Sequence, residues 1–209
     1  MADFSLERAC AGRGRVLIAG VDEVGRGALC GPVVAAAVIF PPRLIAAKPS
    51  GWLLEIDDSK LLHPHKRAEL ARRIVREASV GLGWAISGEI DRLNILRATH
   101  AAMGRAVQRL FPPPDIVLVD GLPVPGAPFR QMAVPQGDRR SRSIAAASIV
   151  AKVLRDELLV FCGRLYKGYG FERHKGYGTE AHFAALDVLG PSPLHRRSFP
   201  LQSARTLFP

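Results

Sequence analysis

The segment VLIAGVDEVGRG, residues 16–27, decides the fold of this chain. Its first part, Val16 to Val21, is an unbroken apolar run of strand length, and such runs are typical of strands buried in a sheet. Gly25 to Gly31 is a glycine-rich turn, and a second apolar run, VVAAAVIF, follows at Val33 to Phe40. Two apolar runs joined through such a turn predict a β-hairpin.

The rest of the chain alternates predicted helices with predicted strands. Helices are predicted at 64–78, 90–110, 141–161 and 179–188, and further strands at 80–87, 116–119 and 130–134. Residues 41–59 are loop-like, and we expect residues 1–14 to form a flexible N-terminal segment. Strands mixed with helices predict an α/β fold in which helices cover a sheet. At 209 residues the chain suits one domain, which we expect to span residues 15–209.

The charge of the chain favours a polyanionic partner. It carries 29 Lys plus Arg against 19 Asp plus Glu, a formal net charge of +10. A basic surface attracts phosphate backbones and releases their counterions, so this charge is typical of nucleic-acid-binding proteins. Charge alone does not separate them from other basic proteins.

The cysteines and the apolar segments bear on the location of the protein. Cys10, Cys30 and Cys162 are scattered and lack CxxC spacing, so they predict neither a disulfide framework nor a zinc site. The N-terminal sequence MADFSLERAC contains acids and lacks the apolar centre of a signal peptide. The longest apolar stretch, 28–40, is too short to span a bilayer. We therefore expect a soluble cytoplasmic protein with no membrane association.

Four acids stand where predicted strands end or where a predicted helix begins. Asp22 and Glu23 end the first strand, Asp120 follows the apolar run 116–119, and Asp138 lies in QGDRRS before the long helix. Adjacent carboxylates repel each other unless a cation neutralises them. In α/β sheets, functional groups collect at such strand ends.

Each of these acids alone has an ordinary structural explanation; Asp138, for example, could simply cap a helix. Taken together, the four predict a site for a hard divalent cation with oxygen ligands, Mg²⁺ or Mn²⁺. In a strongly basic chain this combination indicates a nuclease. The positive surface would bind the phosphate backbone, and the acidic cluster would hold ions that activate a water and neutralise the leaving oxygen.

The glycines of Gly25-Arg26-Gly27 have two interpretations. Glycine lets the main chain take positive φ and approach a ligand closely, and amides freed in such a turn can contact a phosphate or a 2′-hydroxyl. A tight hairpin turn would need the same glycines. Their spacing is not the dinucleotide-binding GxGxxG pattern, and spacing alone leaves the two interpretations open.

Several segments together resemble bacterial ribonuclease HII, the type 2 ribonuclease H family. In the order and spacing of that family they are GVDEVGRG (20–27), DDSK (57–60), NIL (94–96), VDG (119–121), GD with SIAAASIVAKVLRD (137–138 and 143–156), HKGYGTEAH (174–182) and HRRSF (195–199). The resemblance runs from Val16 to Phe199. It implies a ribonuclease-H-like fold, a mixed sheet flanked by helices, with a small C-terminal helical segment.

The resemblance also implies roles for individual residues. It implies that four acids bind the metal ions and are catalytic: Asp22, Glu23, Asp120 and Asp138. Gly25, Arg26 and Gly27 would recognise the 2′-hydroxyl of a ribonucleotide and the adjacent phosphates. Tyr177 would pack on the sugar at the RNA-to-DNA junction, where an aromatic face can stack on a nucleotide; a buried core tyrosine is the alternative.

Basic residues in the same motifs are candidates for phosphate contacts, although each alone is more commonly a solvated surface charge. They are Lys60, Lys152, Lys175, Arg196 and Arg197. Asp156 lies four residues after Lys152 and can pair with it on a helix, so we interpret it as a structural acid. The chain departs from the family pattern at GALCG (27–31), in place of the commoner GPLAG, and at DDSKLL, which lacks a second lysine.

The implied activity is metal-dependent hydrolysis of the RNA strand of RNA–DNA hybrids, and of the bond on the 5′ side of ribonucleotides embedded in duplex DNA. The products would carry 3′-hydroxyl and 5′-phosphate ends, and the role would be removal of ribonucleotides from DNA by a monomer. A junction-resolving nuclease would instead cut all-DNA substrates. A non-catalytic binding module would be expected to lack one of the four acids, and all four are present.

Overall fold

The computed structural model describes residues 2–12 and 16–202. Within these ranges five strands form: β1 (Ile18–Val24), β2 (Val33–Ile39), β3 (Ser79–Ala85), β4 (Ile116–Asp120) and β5 (Gln131–Val134). The same ranges contain eight α-helices: α1 (Ser5–Ala11), α2 (Pro42–Ala46), α3 (Pro64–Glu77), α4 (Ser87–Leu93), α5 (Ile95–Gln108), α6 (Arg142–Leu165), α7 (Phe171–His174) and α8 (Glu180–Leu189). Short 3₁₀ helices lie at Gly51–Glu55 and Gly137–Arg139.

The five strands form one mixed sheet in the order β3-β2-β1-β4-β5. β1 pairs antiparallel with β2, and β2 pairs antiparallel with β3, so the predicted hairpin is confirmed. β1 pairs parallel with β4, and β4 pairs parallel with β5. The predicted α/β fold, a mixed sheet flanked by helices, is therefore confirmed.

Helices cover both faces of the sheet. α3 and α6 pack with β2 on one face, and α5 packs with β1, β2 and β3 on the other. Every residue of β2 is buried, because both of its faces are covered, and this explains its unbroken apolar sequence. A Cβ atom on Gly20 of β1 would lie 2.2 Å from the carbonyl carbon of Ser143. Glycine at this position therefore lets the start of α6 approach β1 closely.

Several predicted boundaries differ from the observed ones. The helix predicted at 90–110 is two helices, because Asn94 takes a positive φ of 68° and its side chain accepts hydrogen bonds from the amides of Leu96 and Arg97. The loop predicted at 41–59 contains α2 and a 3₁₀ helix. β1 continues to Val24, so Asp22 and Glu23 lie inside the strand rather than after it.

The expectation of a flexible N-terminal segment is corrected over residues 2–12. Phe4 is fully buried, and so is Glu7 on α1. The Oε1 atom of Glu7 accepts hydrogen bonds from the Ser141 hydroxyl at 2.7 Å and from the Ser143 amide at 2.9 Å. A carboxylate is stabilised there because the N-terminus of a helix, here α6, carries partial positive charge.

The predicted C-terminal helical segment is present as α7 and α8, and α7 packs on α6 through the buried Phe171 and Leu159. Residues 13–15 and 203–209 lie outside the described residues, so the predicted domain span 15–209 stays a prediction. No helix within 2–12 and 16–202 is long and apolar enough to cross a membrane.

The buried contact of Glu7 gives a test of the N-terminal helix. Glu7→Ala leaves the amide of Ser143 and the hydroxyl of Ser141 without their acceptor, and a buried polar group without a partner costs about 1–3 kcal/mol. We expect urea unfolding, followed by circular dichroism, to show a loss of this size. Glu157→Ala, at an exposed position on α6, should change the stability by less than about 0.5 kcal/mol. Equal losses in the two variants would contradict a specific role for Glu7.

Candidate active site

Three of the four predicted acids, Asp22, Glu23 and Asp120, lie on the neighbouring strands β1 and β4, near the C-terminal ends of these strands. Val21 of β1 lies opposite Val119 of β4 in the parallel register, so Asp22 and Asp120 are the next residues along neighbouring strands. Asp120 also pairs with Val134 of β5. The chain then turns back through the 3₁₀ helix Gly137–Arg139, which carries Asp138 to the same end of the sheet.

All four acids line one cleft of about 400 Å³. The lining also includes Lys60 and Tyr177, which the sequence predicted as substrate-binding residues, and Lys152 of α6. The complete lining is Asp22, Glu23, Val24, Ser59, Lys60, Asp120, Asp138, Ser148, Lys152 and Tyr177. Six of the ten predicted site residues therefore meet in one cavity, although they come from segments far apart in the chain.

Backbone amides hold two of the carboxylates in place. The Oδ1 atom of Asp120 accepts a hydrogen bond of 2.6 Å from the amide of Gly137, which links β4 to the segment that carries Asp138. A Cβ atom on Gly137 would lie 2.5 Å from the terminal Cδ1 of Ile144 and 3.1 Å from Oδ1 of Asp120, so a larger residue would force these side chains to shift. The Oδ1 atom of Asp22 accepts from the amide of Glu23 at 2.7 Å.

The electrostatics of the cleft favour neutralisation by a cation. Burial raises the pKa of the Asp22 carboxyl well above its ordinary value, and the carboxylates of Glu23 and Asp120 raise it further. Burial also raises the pKa of Asp138, with contributions from Asp120 and Asp58. Burial raises the pKa of Glu23 as well, although Arg26 acts in the opposite direction.

Among the residues described, Glu23 alone of the four acids has a basic group within 4 Å, the Arg26 guanidinium at 3.2 Å. The cleft thus holds two buried acids, Asp22 and Asp138, beside the half-buried Glu23 and Asp120, and in the described part of the chain neither lysine of its lining lies within 4 Å of one of them. Carboxylate oxygens are the ligands that Mg²⁺ and Mn²⁺ prefer, and an unneutralised set of them fits a hard divalent cation.

Two serines complete the cleft, and sequence reasoning missed both. The hydroxyls of Ser59 and Ser148 share a hydrogen bond of 2.8 Å, and the Ser148 hydroxyl acts to lower the pKa of Asp22, against the larger effect of burial. Ser148 lies four residues from Ile144 and from Lys152, on the face of α6 that borders the sheet. A serine amid apolar residues at this helical spacing was the available signal.

The turn Gly25–Gly27 presents its amides rather than its carbonyls. Gly25 has a φ of 92°, where a side chain would be strained. Within the described residues, the amides of Arg26 and Gly27 donate to no protein acceptor, and both residues are exposed. Tyr177 borders this turn through a β-bridge with Ala28 and is half-buried beside the cleft rather than in the core.

The predicted phosphate contacts divide into two groups. Lys60 and Lys152 line the cleft, and Lys152 pairs with Asp156 at 2.7 Å as predicted. Arg196 is fully buried and its guanidinium donates to backbone carbonyls, so the interpretation of Arg196 as a phosphate contact is wrong.

The other two basic candidates lie outside the cleft lining. Arg197 is exposed, and its amide donates to Asp91. The Lys175 ammonium donates to the carbonyl of Glu172. Phosphate binding by Arg197 and Lys175 stays a prediction.

A second cluster of potential metal ligands lies outside the cleft, at Cys30, His182 and His195, all buried. The amide of Ser192 donates to Nδ1 of His195, which places the proton on Nε2. That Nε2 lies 3.0 Å from Nε2 of His182, whose Nδ1 lies 3.0 Å from the carbonyl of Tyr177. Since every ring nitrogen is engaged, the pair is a hydrogen-bonded chain that holds the Tyr177 backbone rather than a metal site.

The fold is that of the ribonucleases H. The ribonuclease H2 of Pyrococcus horikoshii superposes with a TM-score of 0.71 at 24% identity, covering 91% of this chain and 96% of that one. The ribonuclease HII of Archaeoglobus fulgidus, solved in complex with PCNA, gives 0.74 at 24% identity, covering 92% and 100%. A ribonuclease HIII, Bst-RNase HIII, solved in complex with Mn²⁺, gives 0.70 at 22% identity, covering 92% and 70%.

Sequence comparison is more specific. The family model described as Ribonuclease HII matches residues 19–202. The ribonuclease HII of Rhodospirillum rubrum is 53% identical over 201 residues, covering 95% of this chain and 89% of the relative. That of Geobacter sulfurreducens is 51% identical over 200 residues, covering 95% and 88%. The chain belongs to the ribonuclease HII family. It is an endoribonuclease of the divalent-metal-dependent ribonuclease H type, which acts on RNA–DNA hybrids.

The raised pKa of Asp22 predicts how the metal-free protein responds to pH. Because the folded-state pKa lies above the unfolded value, the folded state binds more protons between the two, and stability falls as pH rises through that window. Asp22→Asn removes this ionisation. In EDTA at pH 7 its melting temperature should rise by on the order of 2–4 °C.

The matched control is Asp187→Asn, at an exposed position on α8, which should leave the melting temperature unchanged. Added Mn²⁺ should stabilise the unmodified protein more than Asp22→Asn, because a ligand stabilises the state that binds it. An Asp22→Asn protein that melts at or below the unmodified temperature in EDTA would refute the repulsion argument.

Proposed function

We propose that this ribonuclease H cuts the phosphodiester bond on the 5′ side of ribonucleotides embedded in duplex DNA, leaving 3′-hydroxyl and 5′-phosphate ends. The observation that carries the proposal is that one cleft combines four acids with Tyr177, next to a turn with free amides. This combination pairs a centre for hydrolysis with groups able to recognise one nucleotide.

The turn Gly25–Gly27 would recognise the ribonucleotide. Its free amides at Arg26 and Gly27 can donate to the 2′-hydroxyl and to the neighbouring phosphates. The 2′-hydroxyl is the group that distinguishes RNA from DNA at a given position. Glycine at position 27 leaves open space, since a Cβ atom there would meet no other atom within 4 Å. A nucleotide could therefore approach the main chain closely.

Tyr177 would pack against the sugar at the RNA-to-DNA junction. Its ring lies beside the cationic groups of Lys152, at 5.7 Å, and Arg155, at 5.3 Å. Both contacts restrict the ring, which is held next to the turn by the bridge to Ala28. An aromatic face fixed in this way provides a stacking surface for a nucleotide without selecting a base.

Asp22, Glu23, Asp120 and Asp138 would hold the metal, Mg²⁺ or Mn²⁺. When bound, such ions supply Lewis-acid stabilisation of charge on the phosphate and lower the pKa of water. The chain itself fixes two of the ligands, since the Glu23 amide donates to Asp22 and the Gly137 amide donates to Asp120. The Mn²⁺ complex of the similar ribonuclease HIII supports the use of a divalent metal ion.

Basic residues at the cleft would bind the nucleic acid. Lys60 and Lys152 line the cleft, where they can balance the charge of the substrate phosphates. The net charge of +10 favours binding of a duplex over the wider surface. The proposed role is removal of ribonucleotides from DNA, by a monomer in the cytoplasm.

The central test is cleavage of an end-labelled DNA duplex that contains one ribonucleotide. The expected result with Mg²⁺ or Mn²⁺ is a single cut on the 5′ side of the ribonucleotide, and no cut in EDTA. An all-DNA duplex of the same sequence serves as the control and should stay intact.

Other outcomes would change the proposal. Cleavage of both duplexes would point to a general or junction nuclease. A cut on the 3′ side would reject the proposed geometry, and activity confined to long RNA–DNA hybrids would reject the embedded-ribonucleotide substrate.

The role of Asp138 can be tested separately. Asp138→Asn removes one charged ligand from the cleft, and a contribution of roughly 3 kcal/mol from the metal site corresponds to about 100-fold in rate. We expect cleavage to fall by at least this factor while hybrid-duplex binding, measured by fluorescence anisotropy, is retained. Asp187→Asn should cleave normally. Full activity of Asp138→Asn with Mg²⁺ would remove Asp138 from the catalytic set.

A further inference from the structure

We propose that two buried arginines, Arg155 and Arg196, are positioning residues that give the enzyme its preference for a ribonucleotide. They would act by fixing the carbonyls of the turn Gly25–Gly27 and the backbone next to Tyr177. The inference rests on the proposed function of that turn. Neither guanidinium lines the cleft, so neither residue is assigned a direct contact with the reacting atoms.

Arg196 holds the carbonyl side of the turn. Its Nη2 atom donates to the Gly25 carbonyl at 2.7 Å, and its Nη1 atom donates to the Arg26 carbonyl at 2.8 Å. Nε and Nη2 also donate to the Gly31 carbonyl, at 3.1 and 2.9 Å. The rigid planar guanidinium thereby fixes two successive carbonyls toward the protein. The amides of Arg26 and Gly27 are left free for the substrate.

Arg155 joins the end of the same loop to the Tyr177 segment. Its three nitrogens donate to the carbonyls of Pro32 at 3.0 Å, Lys175 at 2.9 Å and Cys30 at 3.1 Å. Its guanidinium carbon lies 5.3 Å from the centre of the Tyr177 ring. One side chain therefore links the segment that follows the glycine turn to the segment that carries Tyr177.

Glycine at position 25 makes room for this arrangement. A Cβ atom there would lie 2.1 Å from Nε of Arg155, so the turn packs directly onto the arginine. The amide of Leu29 also donates to the carbonyl of Gly176 at 2.8 Å, which links the two recognition segments through their backbones.

The charge of this pair has no carboxylate beside it. Among residues 2–12 and 16–202, no acidic group lies within 4 Å of either guanidinium, although both side chains are fully buried. Burial and the nearby Arg155 lower the pKa of Arg196 to about 10, so it remains charged at neutral pH. Burying a cation without an anion is unfavourable. The two positive charges and the free amides in front of them would together attract an anion, and we infer that this anion is a phosphate of the substrate.

The test compares two affinities in an Asp138→Asn background, in which we expect cleavage to be at least about 100-fold slower. The discrimination ratio is the Kd for an all-DNA duplex divided by the Kd for the same duplex with one ribonucleotide. Arg196→Lys retains the positive charge but replaces the planar guanidinium, with its several N–H donors, by an ammonium group. We expect the ratio to fall by on the order of tenfold, the loss expected for one hydrogen bond to a charged group. The Kd for all-DNA duplex should change much less.

A purely structural arginine would not produce this pattern. Stabilisation by Mn²⁺, measured as a shift in melting temperature in the Arg196→Lys protein that retains Asp138, should equal that of the unmodified protein. If Arg196→Lys does not fold, Arg155→Lys takes its place with the same expectation. An unchanged ratio in a folded variant overturns the proposal. Failure of both variants to fold also overturns it, since the arginines would then serve folding alone.

Gly27→Ala separates this proposal from the proposed function. The added methyl group meets no protein atom within 4 Å, so the variant should fold, yet it obstructs the approach of a nucleotide. If Gly27→Ala leaves the discrimination ratio unchanged, the turn does not recognise the ribonucleotide and the proposed function fails. If Gly27→Ala lowers the ratio and Arg196→Lys does not, the positioning role alone fails.

Discussion

Repulsion among four carboxylates in one cleft is the constraint on which the rest of this structure depends. Asp120 raises the pKa of each of the other three acids, which locates it at the centre of the negative charge. The sheet and α6 must therefore hold together groups that would separate if they were free. Parallel pairing of β1 with β4, and the close approach of α6 at Gly20, supply this restraint. Stability has been given up locally to prepare a site for cations.

The two signs of charge are separated in space. The chain as a whole carries +10, while its cleft is lined by acids. Arg155 and Arg196 place further positive charge behind the turn Gly25–Gly27, where their guanidinium groups donate to carbonyls instead of carboxylates. A carboxylate at that position would cancel the field that a phosphate encounters. Backbone carbonyls satisfy the guanidinium donors and leave the net charge in place.

The sequence allowed much of the fold and the cleft to be predicted where local signals were sufficient. Asp22 and Asp120 could be found because each follows an apolar run. A few neighbouring residues are enough to predict a buried strand and the place where it ends. Asp138 was selected from its position before the long helix, whereas Tyr177 was selected only because the order of the motifs resembles that of a known family. Contacts between distant segments were misread: Glu7 was assigned to a flexible segment and Arg196 to the surface. Their burial depends on partners 134 and 171 residues away, which no local pattern reveals.

The contact between Glu7 and the start of α6 also has a consequence for how the protein is made. Glu7 is synthesised 134 residues before its partner Ser141 and 136 residues before Ser143, so this contact cannot form until the start of α6 has been made. β4 and the segment with Asp138 also follow β1 in the chain. The four acids therefore cannot meet until these segments have been synthesised. Closing the domain therefore depends on contacts between segments far apart in sequence, and such contacts form slowly because a long loop must be closed first.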